Sequence, residues 1–186
     1  MLTRAVAHIG RHYITDGGTV FDIGAGRGNI SLALADIVKT RQAKMISIEA
    51  SAEMIKVFHG IGEVRHVDAR EVNFENADLI VCFLVCMFLP PEDVWRFLFR
   101  AKEGLRKHGA LVVLEKLQNR GGYIGSVFYR LTLAEKLFAG ADAKRILEKE
   151  LSLAGVQRPL DEKIFKELDA VEFFRFGDFA GYIVER

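Results

Sequence analysis

The sequence predicts an α/β protein with a mostly parallel, seven-stranded sheet, flanking helices and a C-terminal antiparallel hairpin. Short apolar runs alternate with runs of helical spacing, an order typical of parallel sheets with helices on both faces. Residues 78–83 are almost wholly apolar, as a central strand buried on both faces should be. Near the C-terminus, Gly177-Asp178 separates two strand-like runs and predicts a two-residue hairpin turn.

Each predicted strand is a short apolar run that stops at a turn, and each predicted helix has apolar residues at helical spacing. The predicted strands are 19–21, 45–48, 63–67, 78–83, 110–114, 173–176 and 179–184. The predicted helices are an amphipathic segment ending before Asp16, a run beginning at Asn29, residues 52–60, and a run from Pro90 to Gly109. The apolar stripe of the last helix is Val94, Leu98, Ala101 and Leu105.

Residues 116–160, between the fifth strand and the hairpin, are predicted to be a helical insertion, which we call the lid. Gly121-Gly122 and Gly140 interrupt it, and Tyr123 and Tyr129 lie near the first of these breaks. Glycine hinges and aromatic side chains suit a segment that closes over a substrate, so both tyrosines are candidate substrate contacts. An ordinary linker with packing aromatics would show the same pattern. No repeat or second domain is visible, so residues 1–186 are predicted to form one domain.

The stretch Asp22-Ile-Gly-Ala-Gly-Arg-Gly28 connects the first strand to the helix that begins at Asn29. Glycine tolerates φ angles that other residues resist, and it leaves bare backbone against which a ligand can lie. The start of the helix offers free N–H groups to an acidic group of a ligand. A glycine turn that only packs helix on strand would look similar, so a second signal is needed.

Acidic residues at the ends of the next two strands supply that signal. Glu49 lies 21 residues past Gly28, where a carboxylate can accept hydrogen bonds from both ribose hydroxyls of an adenosine. Asp68 ends the third strand, although an aspartate there can also be a turn former or a helix cap. Because parallel strands end at one edge of the sheet, Asp22, Glu49 and Asp68 together predict an adenosine-cofactor site.

Composition argues against several other classes of protein. A formal net charge of +1 gives no global argument for binding nucleic acid or a membrane surface. The longest apolar run, 79–89, is too short to cross a bilayer, and the N-terminus lacks the features of a signal peptide, so we expect a cytoplasmic protein. Cys82 and Cys86 lie in the most apolar stretch without evident further ligands, and no metal is predicted. A solvated helix face is predicted for the basic residues Arg96, Arg100, Lys102, Arg106 and Lys107.

The glycine turn resembles motif I of the class I S-adenosylmethionine-dependent methyltransferases. The dinucleotide fingerprint G-x-G-x-x-G would have its third glycine at position 29, where this chain has Asn29. The resemblance implies a Rossmann-like fold with S-adenosyl-L-methionine as cofactor, its methionine tail over the turn and its ammonium group near Asp22. The implied cofactor contacts are Asp22, Gly24, Ala25, Gly26, Gly28, Glu49, Ala50, Asp68, Ala69 and Phe83.

Four later stretches resemble the carboxy-S-adenosylmethionine synthases of tRNA wobble-uridine modification; they are Asn76–Val81, Met87–Glu92, Gly109–Lys116 and Lys144–Glu148. In that family an arginine of the last stretch holds the carboxylate added to the cofactor, which implies Arg145 as a ligand here. Gly26, Ala50 and Phe83 stand where that family has Ser, Asn and Asn, and these departures favour an ordinary methyl donor. A surface charge paired with Glu148 is an equal alternative for Arg145.

We predict an S-adenosylmethionine-dependent methyltransferase with a small-molecule or lipid-like acceptor. Two alternatives stay open: an enzyme similar to the carboxy-S-adenosylmethionine synthases, with a carboxylated cofactor, and a non-catalytic adenosine-binding partner module. The interface of such a module would use Trp95, Phe97 and Phe99. Methyl transfer does not require a base, and only Glu115 and Tyr123 are weak candidates for one. A homodimer stays open as an assembly state.

Overall fold

A computed structural model describes residues 2–119 and 121–186. The helices are α1 (Leu2–Tyr13), α2 (Asn29–Thr40), α3 (Ala52–Lys56), α4 (Pro91–Glu103), α5 (Gly122–Phe138), α6 (Ala143–Ser152) and α7 (Lys163–Glu167). The strands are β1 (Thr19–Ile23), β2 (Lys44–Glu49), β3 (Glu63–His66), β4 (Ala77–Phe83), β5 (Leu105–Lys116), β6 (Val171–Phe176) and β7 (Phe179–Glu185). Short 3₁₀ turns follow β3 and β4, at Ala69–Glu71 and Cys86–Phe88.

The seven strands form one sheet in the order β3-β2-β1-β4-β5-β7-β6. The first five pair in parallel, whereas β7 pairs antiparallel with both β5 and β6. This arrangement confirms the predicted α/β class and its C-terminal hairpin. The order of strands reverses between β1 and β4, and ligands of open α/β sheets bind in the crevice beyond the carboxyl ends of strands at such a point.

Helices cover both faces of the sheet, because the alternating side chains of the strands are apolar on each face. Phe21 of β1 packs edge to face against Phe74, with ring centroids 5.3 Å apart, in a core cluster that includes Phe97 of α4. On the opposite face, Val20 belongs to a second cluster with Val6 of α1 and Leu34 of α2. Phe97 is 1% exposed and therefore lies in the core rather than on the interface assigned to it above.

Helix α4 is shorter than predicted. It ends at Glu103, and β5 begins at Leu105, whose periodic spacing had placed it on the helix. Gly104 lies against Phe74, where an added Cβ would come within 2.2 Å of the Phe74 Cβ, and its carbonyl accepts a hydrogen bond from the Ala77 N–H at 3.0 Å. This tight approach turns the chain into β5, since only glycine fits there.

The prediction of a solvated helix face for the basic residues is therefore wrong in part. Arg106 lies on β5, and its Nε donates to the buried Asp78 carboxylate at 2.8 Å. Arg100 and Lys102 donate to the backbone carbonyls of Ala69 and Leu168, each at 3.0 Å. Arg100, Lys102 and Arg106 therefore hydrogen-bond to neighbouring elements, whereas Arg96 and Lys107 are exposed as predicted.

The lid begins and ends at one place beside the sheet. Leu117 and Leu160 form an isolated parallel bridge, in which the Gln118 N–H donates to the Leu160 carbonyl at 2.8 Å and the Leu160 N–H to the Lys116 carbonyl at 3.0 Å. Its two main helices, α5 and α6, therefore lie beyond the carboxyl end of β5. Within the described residues, no helix is both long and apolar enough to cross a membrane.

Candidate functional site

A cavity of about 390 Å³ lies at the carboxyl edge of the sheet, and we call it the first cavity. Its volume is within the range of about 300–1,000 Å³ that small-molecule sites occupy. Residues from the ends of β1, β2, β3 and β4 line it; they include Gly24, Glu49, Ala50, Asp68, Ala69, Leu84 and Val85. Five of the residues implied as cofactor contacts thus line one cavity.

The other five implied contacts lie around this cavity without lining it. Asp22 is 1% exposed and Ala25 is also buried, and neither residue lines the cavity. Gly26, Gly28 and Phe83 lie in the same turn or at the end of β4. The glycine turn therefore reaches the first cavity chiefly through Gly24.

The glycines of the turn differ in what surrounds them. Gly28 has φ +86°, and an added Cβ would lie 2.5 Å from the Gly60 Cα. Gly26 has φ +54°, but an added Cβ would meet nothing closer than 3.7 Å, at the end of the Met54 side chain. Gly28 therefore lets the backbone at Gly60 pack closely against the turn, whereas the backbone at Gly26 is not covered by another segment of the described chain.

Glu49 fastens the glycine turn to the end of β2. One carboxylate oxygen accepts from the Gly26 N–H at 2.8 Å, and the other accepts from the Ser51 N–H at 2.8 Å. A carboxylate has about four acceptor positions, so both oxygens can still accept a hydrogen bond from a ligand hydroxyl. The group can both fix the turn and bind a ribose.

Asp22 carries an orphaned oxygen. Its Oδ2 is buried without a hydrogen-bond partner among the described residues. Burial raises the pKa of Asp22 to about 7, opposed by a hydrogen bond from the Ser31 N–H and reinforced by the negative charge of Glu49. A buried carboxylate with a free acceptor favours a nearby positive charge.

Asp68 is held by a cation that the sequence analysis did not single out. The Arg70 side chain donates to both oxygens of Asp68, at 3.0 and 2.8 Å, and also to Asp93 at 3.1 Å. These hydrogen bonds from Arg70 lower the pKa of Asp68. Asp68 also caps the 3₁₀ turn through the Arg70 N–H. Arg70 lines the first cavity, and its place two residues past a strand-ending acid was the available signal.

The turn after β4 forms one wall of the first cavity and is fixed from below. Leu84 has φ +59°, which is costly for a branched side chain. Glu115 of β5, which is fully buried, accepts from the N–H groups of Val85 and Cys86 at 2.7 and 2.6 Å. Burial raises the pKa of Glu115 to about 7, opposed by the N–H groups of this turn. The carboxylate therefore holds a strained turn in place.

A second cavity, of about 330 Å³, lies under the lid and shares Leu84 and Phe88 with the first. Its remaining walls come from α5, α6, the end of β5 and the hairpin turn. Tyr129, one of the two predicted substrate contacts, lines it. Tyr123 is 79% exposed and lines neither cavity.

The remaining candidates lie elsewhere. Arg145 is exposed on α6 and lines neither cavity, while Lys149, one turn later, lines the second. Neither weak candidate for a base lines either cavity, since Glu115 is buried beneath the turn and Tyr123 faces outward. Sequence analysis missed Lys116, which lines the second cavity, although it ends a strand at the same edge as Glu49.

Cys82 and Cys86 lie next to Glu115, and ligand atoms of all three are within 4.8 Å of one another. The Sγ atoms are 3.4 Å apart and hydrogen-bonded. That hydrogen bond and burial raise the pKa of the Cys86 thiol well above its ordinary value, which favours the neutral form. Both thiols are buried in the core beside Glu115.

Comparisons with known proteins agree on one kind of domain. A family model described as a methyltransferase domain matches residues 20–109. A protein from Staphylococcus epidermidis named carboxy-S-adenosyl-L-methionine synthase is 26% identical over 194 residues, which cover 97% of this chain and 84% of the relative. A protein of that name from Shewanella amazonensis is 27% identical over 172 residues, which cover 85% of this chain and 69% of the relative.

A solved structure has a similar fold. The crystal structure of a candidate S-adenosyl-L-methionine-dependent methyltransferase from Methanococcus maripaludis superposes with a TM-score of 0.58 at 17% identity. The match covers 99% of this chain and 84% of that one. At this identity the likeness shows the fold alone.

Proposed function

We propose that this chain, an S-adenosylmethionine-dependent methyltransferase of the class I superfamily, binds its cofactor in the first cavity and a small or lipid-like acceptor in the second. The observation that carries the proposal is the contact between the two cavities. Leu84 and Phe88 line both, so groups bound on the two sides would meet at the turn after β4. A donor and an acceptor held in adjoining sites are the main requirement of a group transfer.

The residues of the first cavity fit the cofactor. Glu49 has acceptor positions left for ribose hydroxyls, and Asp68 has one on Oδ2, which within the described part of the chain accepts only from Arg70 Nη2. The orphaned Oδ2 of Asp22, on β1 just before the glycine turn, favours the positive charge of the cofactor. When bound, S-adenosylmethionine supplies a methyl group on a positively charged sulfur and needs no further activation by the protein.

The chain's own residues then have three tasks. Leu84 and Phe88 form the apolar boundary between the two cavities, where the reacting atoms would meet. Glu115 keeps that boundary in place through Val85 and Cys86. Tyr129 and the lid helices position the acceptor. No side chain is assigned as base, because an acceptor nucleophile can release its proton to solvent after transfer.

Titration calorimetry with S-adenosylhomocysteine tests the cofactor site. Glu49→Ala should weaken binding about tenfold to a hundredfold, since hydrogen bonds to a charged group are worth about 1.5–3 kcal/mol. Glu53→Ala is the matched control, because Glu53 is exposed on α3, pairs only with Lys56 among the described residues and lines neither cavity. Unchanged affinity in Glu49→Ala, or tighter binding of NAD by the wild type, would contradict the proposed site.

Methyl-labelled S-adenosylmethionine tests the class of acceptor. The enzyme is incubated with a cell extract, which is then separated into small molecules, lipids, protein and RNA. Label in the small-molecule or lipid fraction is the expected result, and label confined to RNA or protein would rule the proposed acceptor class out.

A second candidate is a carboxy-S-adenosylmethionine synthase-like activity, which the names of the two relatives favour. The exposed position of Arg145, outside both cavities, counts against it, because the residue implied to hold the added carboxylate does not face them. The mass of the cofactor that co-purifies with the protein separates the two candidates. A carboxylated form favours the second, and unmodified S-adenosylmethionine or S-adenosylhomocysteine favours methyl transfer.

A further inference from the structure

We propose that the acceptor is an amphiphile with one acidic group, and that Lys116 binds this group in the second cavity. The inference rests on the proposed function, because it assigns the second cavity to the acceptor. Lys116 is the last residue of β5 and lies at the carboxyl edge where the parallel strands end. It is half-buried, and it lies directly after the buried Glu115 that fixes the turn between the cavities.

Among residues 2–119 and 121–186, the ammonium group of Lys116 forms no direct ion pair with an acid, although its charge acts on Glu150 at longer range. Its only hydrogen bond there is to the neutral side-chain carbonyl of Gln157, at 3.2 Å. Gln157 follows α6 in the lid and also lines the second cavity. A half-buried cation with a neutral partner retains hydrogen-bonding capacity, since an ammonium group has three donors.

The charged side chains that line the second cavity, Lys116 included, sum to one net positive charge. Three lysines, Lys116, Lys136 and Lys149, line it together with two acids, Glu150 and Asp178. Lys136 is already occupied, because it donates to Glu150 at 2.7 Å. That hydrogen bond lowers the pKa of Glu150, and the positive charges of Lys136, Lys116 and Lys149 lower it further against the opposing effect of burial. The electric fields of all three lysines therefore reach the interior of the second cavity.

Most of the uncharged residues that line the cavity are apolar, and the apolar lining extends to the first cavity. These residues are Leu84, Met87, Phe88, Leu133, Leu153 and Phe179. An acceptor held at Lys116 by its acidic group would lie with its apolar body along this wall, which Leu84 and Phe88 join to the first cavity. A carboxylate and a phosphate monoester share the required chemistry, and the test below separates them.

Four probes with one tail and different head groups test the proposal: octanoate, octyl phosphate, octan-1-ol and octylamine. Each is titrated calorimetrically, below its micelle concentration, into protein saturated with S-adenosylhomocysteine. The acidic probes should bind with at least about tenfold higher affinity than the alcohol, as expected for a charged hydrogen bond. The amine should have the lowest affinity of the four. The tighter of the two acidic probes identifies the acidic group.

Lys116→Met keeps most of the length of the side chain and removes its charge, so it should abolish the preference for the acidic probes over octanol. Lys116→Arg should preserve the preference. Lys144→Met is the matched control, because Lys144 is a lysine of the lid with an 84% exposed side chain that lines neither cavity. Equal binding of octanoate and octanol to the wild type, or a preference that survives in Lys116→Met, overturns the proposal.

Two further measurements keep the result interpretable. The affinity for S-adenosylhomocysteine is measured first. If the protein does not bind it, the proposed cofactor site is refuted; if it binds but the acidic probes show no preference, only the Lys116 proposal is refuted. If Lys116→Met does not fold, the wild type is titrated with octanoate and octanol as salt is raised. The preference for octanoate should then decrease, because salt screens charges at a partly exposed site, and an unchanged preference would contradict the role of Lys116.

Discussion

The walls of the first cavity and the lid are held in place in different ways. Buried or half-buried carboxylates bind the backbone of the turns around the first cavity: Glu49 binds Gly26, and Glu115 binds Val85. Among the described lid residues, α5 buries only Gly125 and α6 buries no residue, and the Asp142 carboxylate that caps α6 is exposed. Ten of the sixteen exposed large apolar side chains of the described residues lie between 123 and 156. Changes at the turns should therefore alter stability, and changes in the lid should alter acceptor use.

The largest effect is expected for Glu115→Ala. It leaves the Val85 and Cys86 N–H groups without their acceptor in a buried place, beside a turn already strained at Leu84. Each unsatisfied buried group costs about 1–3 kcal/mol, so the free energy of unfolding should fall by about 4 kcal/mol. Urea denaturation measures it, with the exposed Glu135→Ala of the lid as control. Equal losses in the two variants would remove the contrast between the turns and the lid.

A smaller effect separates two glycines of one turn. Gly28→Ala should lower the free energy of unfolding by about 2–3 kcal/mol, because its Cβ would meet the Gly60 backbone at 2.5 Å in a left-handed conformation. Gly26→Ala bears only the conformational cost, since nothing lies within 3.4 Å of its Cβ, and should instead weaken cofactor binding. Thermal unfolding and calorimetry on the pair measure both quantities. A larger stability loss in Gly26→Ala would contradict the packing role of Gly28.

The ends of the strands could be predicted from the sequence, but the contacts of the charged groups there could not. Apolar runs and glycine turns fixed β1 and β2 closely, because both signals are local. The start of β5 was missed, since Leu105 continues the helical spacing and only the distant Phe74 forces the turn at Gly104. Glu115 was assigned to chemistry because its partners, Val85 and Cys86, are thirty and twenty-nine residues away. An ionisable residue within an apolar strand was nonetheless a signal for buried hydrogen bonds.

Asp22, next to the glycine turn, should make the free energy of unfolding depend on pH. Its pKa in the folded protein, about 7, is above the ordinary aspartate value, so the folded state binds the proton more tightly than the unfolded state. Its contribution is therefore present at low pH and is lost as pH rises from about 4 to 7, by at most about 1.4 kcal/mol per pH unit. Asp22→Asn should remove this loss, whereas the exposed Asp36→Asn should not. Urea denaturation at pH 5 and pH 8 measures it, and parallel curves for wild type and Asp22→Asn would refute it.

The smallest change in stability, and the most selective change in function, is expected at two tyrosines of the lid. Both are largely exposed, but only Tyr129 lines the second cavity, next to Thr132 and Leu133. Tyr129→Ala should raise the KM for the acceptor several-fold, while S-adenosylhomocysteine affinity and stability stay within about 0.5 kcal/mol of wild type, as for most surface substitutions. Tyr123→Ala is the matched control and should change none of these quantities. Steady-state kinetics with an identified acceptor, or calorimetry with the tightest octyl probe, measures the difference. If Tyr129→Ala instead lost cofactor binding or unfolded the protein, the lid would be part of the core, and the two regions would not differ as described.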